Sequence, residues 1–155
     1  MNGKGDSPPF DFRRMREADL PAVMEIERAA FSHPWSEEMI RRELLHELST
    51  VLLATEGPGG AILGFAVVWL VHDELQVLNV AVAPGARRRG VARRILDRVE
   101  GIAREQGARV SMLEVRRSNL PAISLYRSHG YREVGVRPRY YPEDGEDALA
   151  MDKEL

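Results

Sequence analysis

Cysteine is absent from this 155-residue chain. That excludes disulfides, thiolate metal sites and cysteine nucleophiles together. Lysine is almost missing as well: of the 22 basic residues, only Lys4 and Lys153 are lysines, and the rest are arginine. No charge of one sign dominates, since the formal net charge is −2. A chain that lives on nucleic acid is usually basic overall, so any basic segment here is a local feature. Long apolar runs are lacking too. The longest, Ala61 to Val71, is about half of the roughly 20 residues that a membrane helix needs. Met1 to Pro9 is polar and rich in Gly and Pro, without the apolar centre of a signal peptide. These absences lead to the expectation of a cytoplasmic protein with no membrane partner. The four histidines, His33, His46, His72 and His129, have no metal-ligand spacing, so no metal is expected.

What is present suits one domain with one proper core: 44% of residues are hydrophobic and 30% charged. Residues 1–9 are expected to form a flexible N-terminal tail and residues 10–155 the domain. Phe10 to Arg16 fits a first strand. Asp19 fits an N-cap, followed by Pro21 and by Leu20, Val23, Ile26 and Ala30 at helical spacing. Ser36 fits the cap of a second helix, with Glu37 and Glu38 in its first turn. Ser49 to Thr55 and Ala61 to Val71, joined through Gly57-Pro58-Gly59-Gly60, fit a β-hairpin. Leu75 to Ala83 is a further apolar strand, ended by Pro84-Gly85. Val91, Ile95, Val99 and Ile102 mark one face of a helix that ends near Gly107. Val110 to Val115 is a strand, Ser118 or Asn119 caps a helix that ends at Gly130, and Tyr131 to Val136 and Ala148 to Met151 are the last strands. The order β-α-α-β-β-β-α-β-α-β-β predicts a mixed α/β domain.

The segment Val80 to Glu100 concentrates Arg87, Arg88, Arg89, Arg93, Arg94 and Arg98. Gly85 and Gly90 bracket the first three at a strand-to-helix junction, where unpaired backbone N–H groups and the positive end of a helix dipole converge. Gly90 has no Cβ to keep an anion away from the backbone, and Ala92 is small. Arginine adds charge-assisted bonds. A pyrophosphate cradle and a solvated basic helix start both fit this pattern. A Walker loop does not, because Val91-Ala92 stand where Lys and Ser/Thr are required, and there is no G-x-G-x-x-G.

Arg87-x-x-Gly90-x-Ala92 after an apolar strand resembles the acetyl-CoA loop of the GNAT N-acetyltransferase superfamily, and the order of elements resembles its fold from about Phe10 onward. Leu113-Glu114-Val115-Arg116-Arg117-Ser118-Asn119, then Ala122-Ile123-Ser124-Leu125-Tyr126 and His129-Gly130-Tyr131, resemble a narrower group, the bacterial ribosomal-protein-alanine N-acetyltransferases. So do Pro34-Trp35-Ser36-Glu37 and Tyr140-Tyr141-Pro142 with Gly145-Glu146-Asp147-Ala148. The resemblance implies the GNAT acyl-CoA N-acyltransferase fold, a mixed and mostly antiparallel sheet flanked by helices. It implies acetyl-CoA as co-substrate and, as acceptor, the N-terminal alanine of protein eighteen of the small ribosomal subunit. Asn79 to Val82, including Val80, Ala81 and Val82, would offer backbone groups to the pantetheine arm. The amides of Arg87, Arg88, Arg89, Gly90, Val91 and Ala92 would hold the pyrophosphate, and Asn119 would contact the cofactor.

The chemistry gives two further residues their roles. An α-amino group has a pKa of about 8, so near neutral pH most of it is protonated and cannot attack a thioester. A carboxylate must take that proton, directly or through water. Carried over from the family, Glu114 is that base; taken alone, it also fits a strand-end glutamate paired with Arg116 or Arg117. The leaving thiolate needs a donor, and Tyr126 matches the family's acid, while a plain core tyrosine fits the same position. Asn119 equally fits a simple N-cap. Phe31 to Trp35, Asp73-Glu74 and Tyr140-Tyr141 are expected to border the acceptor groove, with Asp73 or Glu74 toward basic residues of the peptide. Without cysteine, transfer must be direct. Three functions stand at this point: N-α-acetylation of a ribosomal protein; acetylation of a small-molecule amine or a lysine side chain; and a non-catalytic module that binds acetyl-CoA or RNA. DNA is not an expected partner, and the oligomeric state stays open between a monomer and a weak dimer.

Overall fold

A computed structural model describes residues 10–155; the expected tail, residues 1–9, lies outside the described residues. Seven strands form one sheet: β1 (Phe10–Arg14), β2 (Ser49–Glu56), β3 (Ile62–Val71), β4 (Glu74–Val82), β5 (Val110–Arg116), β6 (Arg132–Arg137) and β7 (Ala148–Glu154). Their spatial order is β1-β2-β3-β4-β5-β7-β6. All neighbours are antiparallel except β4 and β5, which run parallel. Helices α1 (Leu20–Ala30) and α2 (Glu37–Leu45) cover one face; α3 (Val91–Glu105) and α4 (Leu120–Ser128) cover the other. The order of elements and the mixed sheet agree with the sequence expectation.

Two covered faces explain the long apolar run. In β3, Phe65 and Val67 pack toward α1 and α2, while Leu63, Ala66 and Val68 pack toward α3. A strand buried on both sides has no reason to alternate with polar residues. Gly64 is needed in the middle of that strand. A Cβ there would lie 2.8 Å from the Ala81 carbonyl oxygen and 3.2 Å from Val91 Cγ1, so its absence lets α3 settle closely on the sheet.

The N-terminal boundary differs from the expectation. Asp19 does not cap α1 with its side chain; it closes a single 3-10 turn, Glu17–Asp19. Its carboxylate accepts from Arg13 Nη1 and Nη2, both at 2.8 Å, and from the Arg16 N–H at 2.8 Å. A bidentate guanidinium is a stronger partner than an orphan helix amide, and it holds the Asp19 carboxyl at about 2. Elsewhere the expected caps are observed: Ser36 accepts from the Met39 N–H, and Asn119 rather than Ser118 starts α4.

The feature that makes a site is a parting of two strands. β4 pairs with β5 only from Glu74 to Val77. At that point β4 has a bulge: Val67 faces Asn79 and Val68 faces Val77, so Leu78 is the extra residue. A bulge bends its strand and ends regular pairing. Beyond it, β4 continues along β3 to Val82 while β5 continues along β7 to Arg116. The backbone groups of Leu78 to Val82 that face β5 therefore have no strand partner, and a V-shaped gap opens.

Candidate active site

The V between β4 and β5 is the mouth of a cleft of about 370 Å³. One wall is Val77 to Val80 of β4; the other is Glu114 to Arg116 of β5 with Asn119, Ala122 and Tyr126 from α4. Phe31, His33, Pro34 and Trp35 from the α1–α2 connection, with Tyr140 and Tyr141 from the β6–β7 loop, close the remaining sides.

Tyr126 enters because α4 turns one face to the sheet: Ile123 and Tyr126, three residues apart, are its buried residues. The Tyr126 ring meets Tyr131 edge-on at 5.8 Å between centroids. Among the described residues no group hydrogen-bonds its hydroxyl, which belongs to the cleft wall. Burial pushes the phenol up to about 12, with the nearby Tyr141 acting in the same direction. Asn119 caps α4, its Oδ1 accepting from the Ala122 N–H at 3.2 Å. It is both the cap and a lining residue.

Glu114 projects from β5 opposite Ala150 of β7 and is partly exposed. Its Oε2 accepts from Arg137 Nε at 2.7 Å, so the ion pair anticipated for it exists, but with β6 rather than with Arg116 or Arg117. Arg116 is committed elsewhere. Its guanidinium gathers Glu143, Asp144 and Glu146 at 3.0 to 3.1 Å and lies 4.0 Å over the Tyr141 ring. Glu146 also accepts from the Ser118 N–H at 2.7 Å. These contacts fasten the acidic loop, and with it Tyr140 and Tyr141, over the cleft. Burial is the largest effect on both tyrosines and raises both phenols, Tyr141 to about 12.

Past Val82 the chain makes a 3-10 turn at Pro84–Ala86 and then the arginine loop. Arg88 has φ 68° and Gly90 φ 76°, both left-handed. α3 follows, and the first amide of the run to bond back is Arg94, to the Gly90 carbonyl at 3.1 Å. The N–H groups from Arg88 to Arg93 have no backbone acceptor among the described residues. Six amides without backbone acceptors thus precede or open a 15-residue helix. The side chains divide. Arg87 and Arg88 are exposed. Arg89 turns away, donating to both oxygens of Glu56 at 2.8 and 2.9 Å and lying 5.3 Å over Phe10.

The structure thus brings Val80, Glu114, Asn119 and Tyr126 into one cleft, with the segments 31–35 and 140–141. Ala81 and Val82 follow on the same strand, Ala81 buried toward α1 and Val82 packed toward α3. Arg87, Arg88, Arg89, Gly90, Val91 and Ala92 lie past the end of β4, outside the cleft lining, and Val91 is itself core. Asp73 and Glu74 are not in the cleft: they sit at the β3–β4 turn, at the end of β4 remote from the V. The acids that do reach the cleft wall are Glu114, Glu143 of the β6–β7 loop and Glu27 of α1, the last fully buried and unexpected. The signal for Glu27 was its spacing, four residues after Val23 and three before Ala30 on the apolar face of α1.

The family model described as acetyltransferase (GNAT) family matches residues 20–131. An Escherichia coli ribosomal protein bS18-alanine N-acetyltransferase is 37% identical over 139 residues, covering 88% of this chain and 92% of the relative. A Mycobacterium tuberculosis N-alpha-acetyltransferase is 33% identical over 152 residues, covering 94% and 93%. The crystal structure of the ribosomal-protein-S18-alanine N-acetyltransferase from Escherichia coli superposes with a TM-score of 0.83 at 32% identity, covering 94% of each chain.

Proposed function

This chain belongs to the GNAT family of acetyltransferases, and on that premise we propose that it moves the acetyl group of acetyl-CoA to the N-terminal alanine of a small-subunit ribosomal protein, in the cytoplasm. The observation that carries the proposal is the convergence of Glu114, Asn119, Tyr126 and the unpaired edge of β4 on one cleft. The acceptor assignment is supported by the relatives whose names state that activity.

The residues fit acetyl-CoA in its parts. The β5-facing backbone of Leu78 to Val82 suits an amide-bearing arm laid into the V, as a strand would be. The free N–H groups from Arg88 to Arg93 suit its pyrophosphate, with the Arg87 and Arg88 guanidiniums beside them. Asn119 stands where the arm would pass. Acetyl-CoA supplies a thioester carbon open to attack by an amine. Glu114 takes a proton from the incoming ammonium, directly or through water. Backbone N–H groups of Val80 to Val82 face the charge that develops on the carbonyl oxygen. Tyr126, protonated because its phenol is pushed up to about 12, donates to the departing thiolate. Phe31 to Trp35 and Tyr140-Tyr141 form the acceptor walls, and Glu143 supplies negative charge there for a basic residue after the alanine.

The test is intact-mass spectrometry after incubation with acetyl-CoA and two peptides. One begins Ala-Arg with a free amine and carries an internal lysine; the other is the same peptide with its N-terminus blocked. Acetylation of the first alone is expected. Acetylation of both assigns the activity to lysine, and acetylation of neither moves the acceptor to a small amine.

A further inference from the structure

The face of α3 that lies away from the cleft carries a second cluster of chemistry-bearing groups. Asp97 and Glu100, three residues apart on α3, meet His129 at the C-terminal end of α4. One ligand atom from each lies within 4.8 Å of the others. His129 Nε2 is 3.2 Å from Asp97 Oδ1 and 3.6 Å from Glu100 Oε2. None of the three residues lines the cleft.

The histidine is the informative member. Its side chain is 8% exposed, and its Nε2 is a buried polar atom with no hydrogen-bond partner. An unpartnered buried nitrogen is costly, and here it lies beside two carboxylate oxygens without the geometry of a hydrogen bond. A cation between the three atoms would satisfy all of them.

The spacing matches a particular class of cation. Zinc holds imidazole nitrogen and carboxylate oxygen at about 2.0–2.2 Å in a tetrahedron, which sets ligand atoms about 3.3–3.5 Å apart. The two histidine–carboxylate separations, 3.2 and 3.6 Å, straddle that edge, and the two carboxylate oxygens, within 4.8 Å of each other, would draw together on binding. The remaining contacts of Glu100 are those of a supported ligand. Its Oε1 accepts from Lys153 Nζ at 2.7 Å and lies 3.8 Å from Arg104 Nη2, and its Oε2 accepts from the Tyr131 hydroxyl at 2.9 Å, which in turn meets Ser111 Oγ at 2.6 Å. Hydrogen-bonded carboxylates of this kind are typical around metals. Asp97 is exposed on the outer side, so an ion has an entry path and a fourth position open to water. Histidine spacing in the sequence could not reveal such a site, because its ligands come from two helices and include one histidine.

We infer that Asp97, Glu100 and His129 form a binding site for a zinc-class divalent cation, with one imidazole and two carboxylate ligands, that clamps the end of α4 to α3. This site stands apart from the acetyl-transfer cleft and does not depend on its assignment.

The test uses the full untagged chain, stripped with a chelator and titrated with Zn2+ against a chromophoric competitor. One Zn2+ per chain is expected, with no displacement by equimolar Mg2+, which demands six oxygen ligands. Loss of supporting groups alone weakens metal sites about 10–100-fold, so loss of a ligand should weaken Zn2+ by more than about 100-fold. His129→Ala and Asp97→Asn should both show this. Asp97 is exposed, and among the described residues its side chain meets only His129, so that variant keeps the fold. Zn2+ should also raise the Tm of the wild type and not that of Asp97→Asn. Absence of stoichiometric binding in the wild type, or equal binding in both variants, would overturn the site; equal binding would assign the metal to His33, His46 or His72.

Discussion

Glu27 of α1 and Asn79 of β4 are joined by a hydrogen bond of 2.7 Å, with Asn79 Nδ2 donating to Glu27 Oε1. The other carboxylate oxygen accepts from the Trp35 N–H at 2.9 Å. One fully buried carboxylate therefore ties three parts of the cleft together: helix α1, the segment before α2, and β4 just beyond its bulge. It fixes the wall against which the proposed pantetheine arm would lie.

Glu27→Ala leaves two donors without an acceptor. Each costs about 1–3 kcal/mol, so the expected loss of stability is about 2–6 kcal/mol. Glu27→Gln is milder, because the Asn79 amide can turn to accept from the new amide while Trp35 keeps its acceptor. Burial raises the Glu27 pKa above 4.5. The folded state therefore holds this proton more tightly than the unfolded state. Its contribution to stability is complete below about 4.5 and is lost as pH rises through the folded value. Urea unfolding at several pH values should show that decline in the wild type and not in Glu27→Gln.

Tyr126→Phe should lower kcat by about 100-fold or more if the phenol donates to the leaving thiolate, with the KM for acetyl-CoA nearly unchanged. With the phenol at about 12, the wild-type rate should show no falling limb from Tyr126 below about pH 11. The same shift makes a stability statement. Tyr126 and Tyr141, both raised to about 12, contribute stability that is complete below pH 10 and is lost as pH rises through about 12. Alkaline unfolding followed by circular dichroism should be shallower in Tyr126→Phe.

Much of this was legible in the sequence. Helical spacing in α3, the caps Ser36 and Asn119, and Gly107 and Gly130 at helix ends are local signals, and each was realised. So was the mixed α/β order, because apolar strands and helices alternate in the chain. What could not be read depends on distance in space. The bulge at Leu78 arises from pairing with β3 and leaves no mark in composition. The partner of Glu114 is Arg137, 23 residues on, because β6 folds back along β7 rather than because any spacing announces it. Asp19 looked like a cap because its position suits one, but Arg13, on the neighbouring strand, competed for it and won. Asp73 and Glu74 were assigned to the acceptor by charge alone, and the hairpin carries them to the opposite end of the sheet.

The Glu114–Arg137 pair allows the base to be tested without removing it. Glu114→Gln should lower kcat/KM by about 100-fold or more, most strongly at low pH, where the acceptor amine is most protonated and a proton acceptor matters most. Arg137→Ala keeps the carboxylate but frees it from its 2.7 Å partner. If that guanidinium positions the base, kcat should fall while the KM for acetyl-CoA stays constant, and Arg137→Lys should recover part of the loss. An unchanged pH profile in Glu114→Gln would remove Glu114 from the mechanism.

The arginine loop separates backbone recognition from side-chain charge. Arg89 has its guanidinium on Glu56 and Phe10, so Arg89→Ala should change acetyl-CoA affinity by no more than about twofold, as for other exposed pairs. Gly90→Ala should do far more. Its φ of 76° is left-handed, and a Cβ there meets nothing within 4 Å, so the fold bears only the conformational cost of about 1–2 kcal/mol. The added methyl nonetheless takes up open space at the helix start, where close approach of a phosphate to the N–H groups of Arg88 to Arg93 needs bare backbone. A loss of affinity of more than about tenfold is expected, measured by isothermal titration with CoA. Repeating the titration at rising salt decides between the two classes of ligand. A pyrophosphate held chiefly by amides loses affinity gently, whereas RNA held by several arginines loses it steeply as counterions compete. Equal CoA affinity in Gly90→Ala and the wild type would place the pyrophosphate away from this helix, and with it the cofactor side of the proposed reaction.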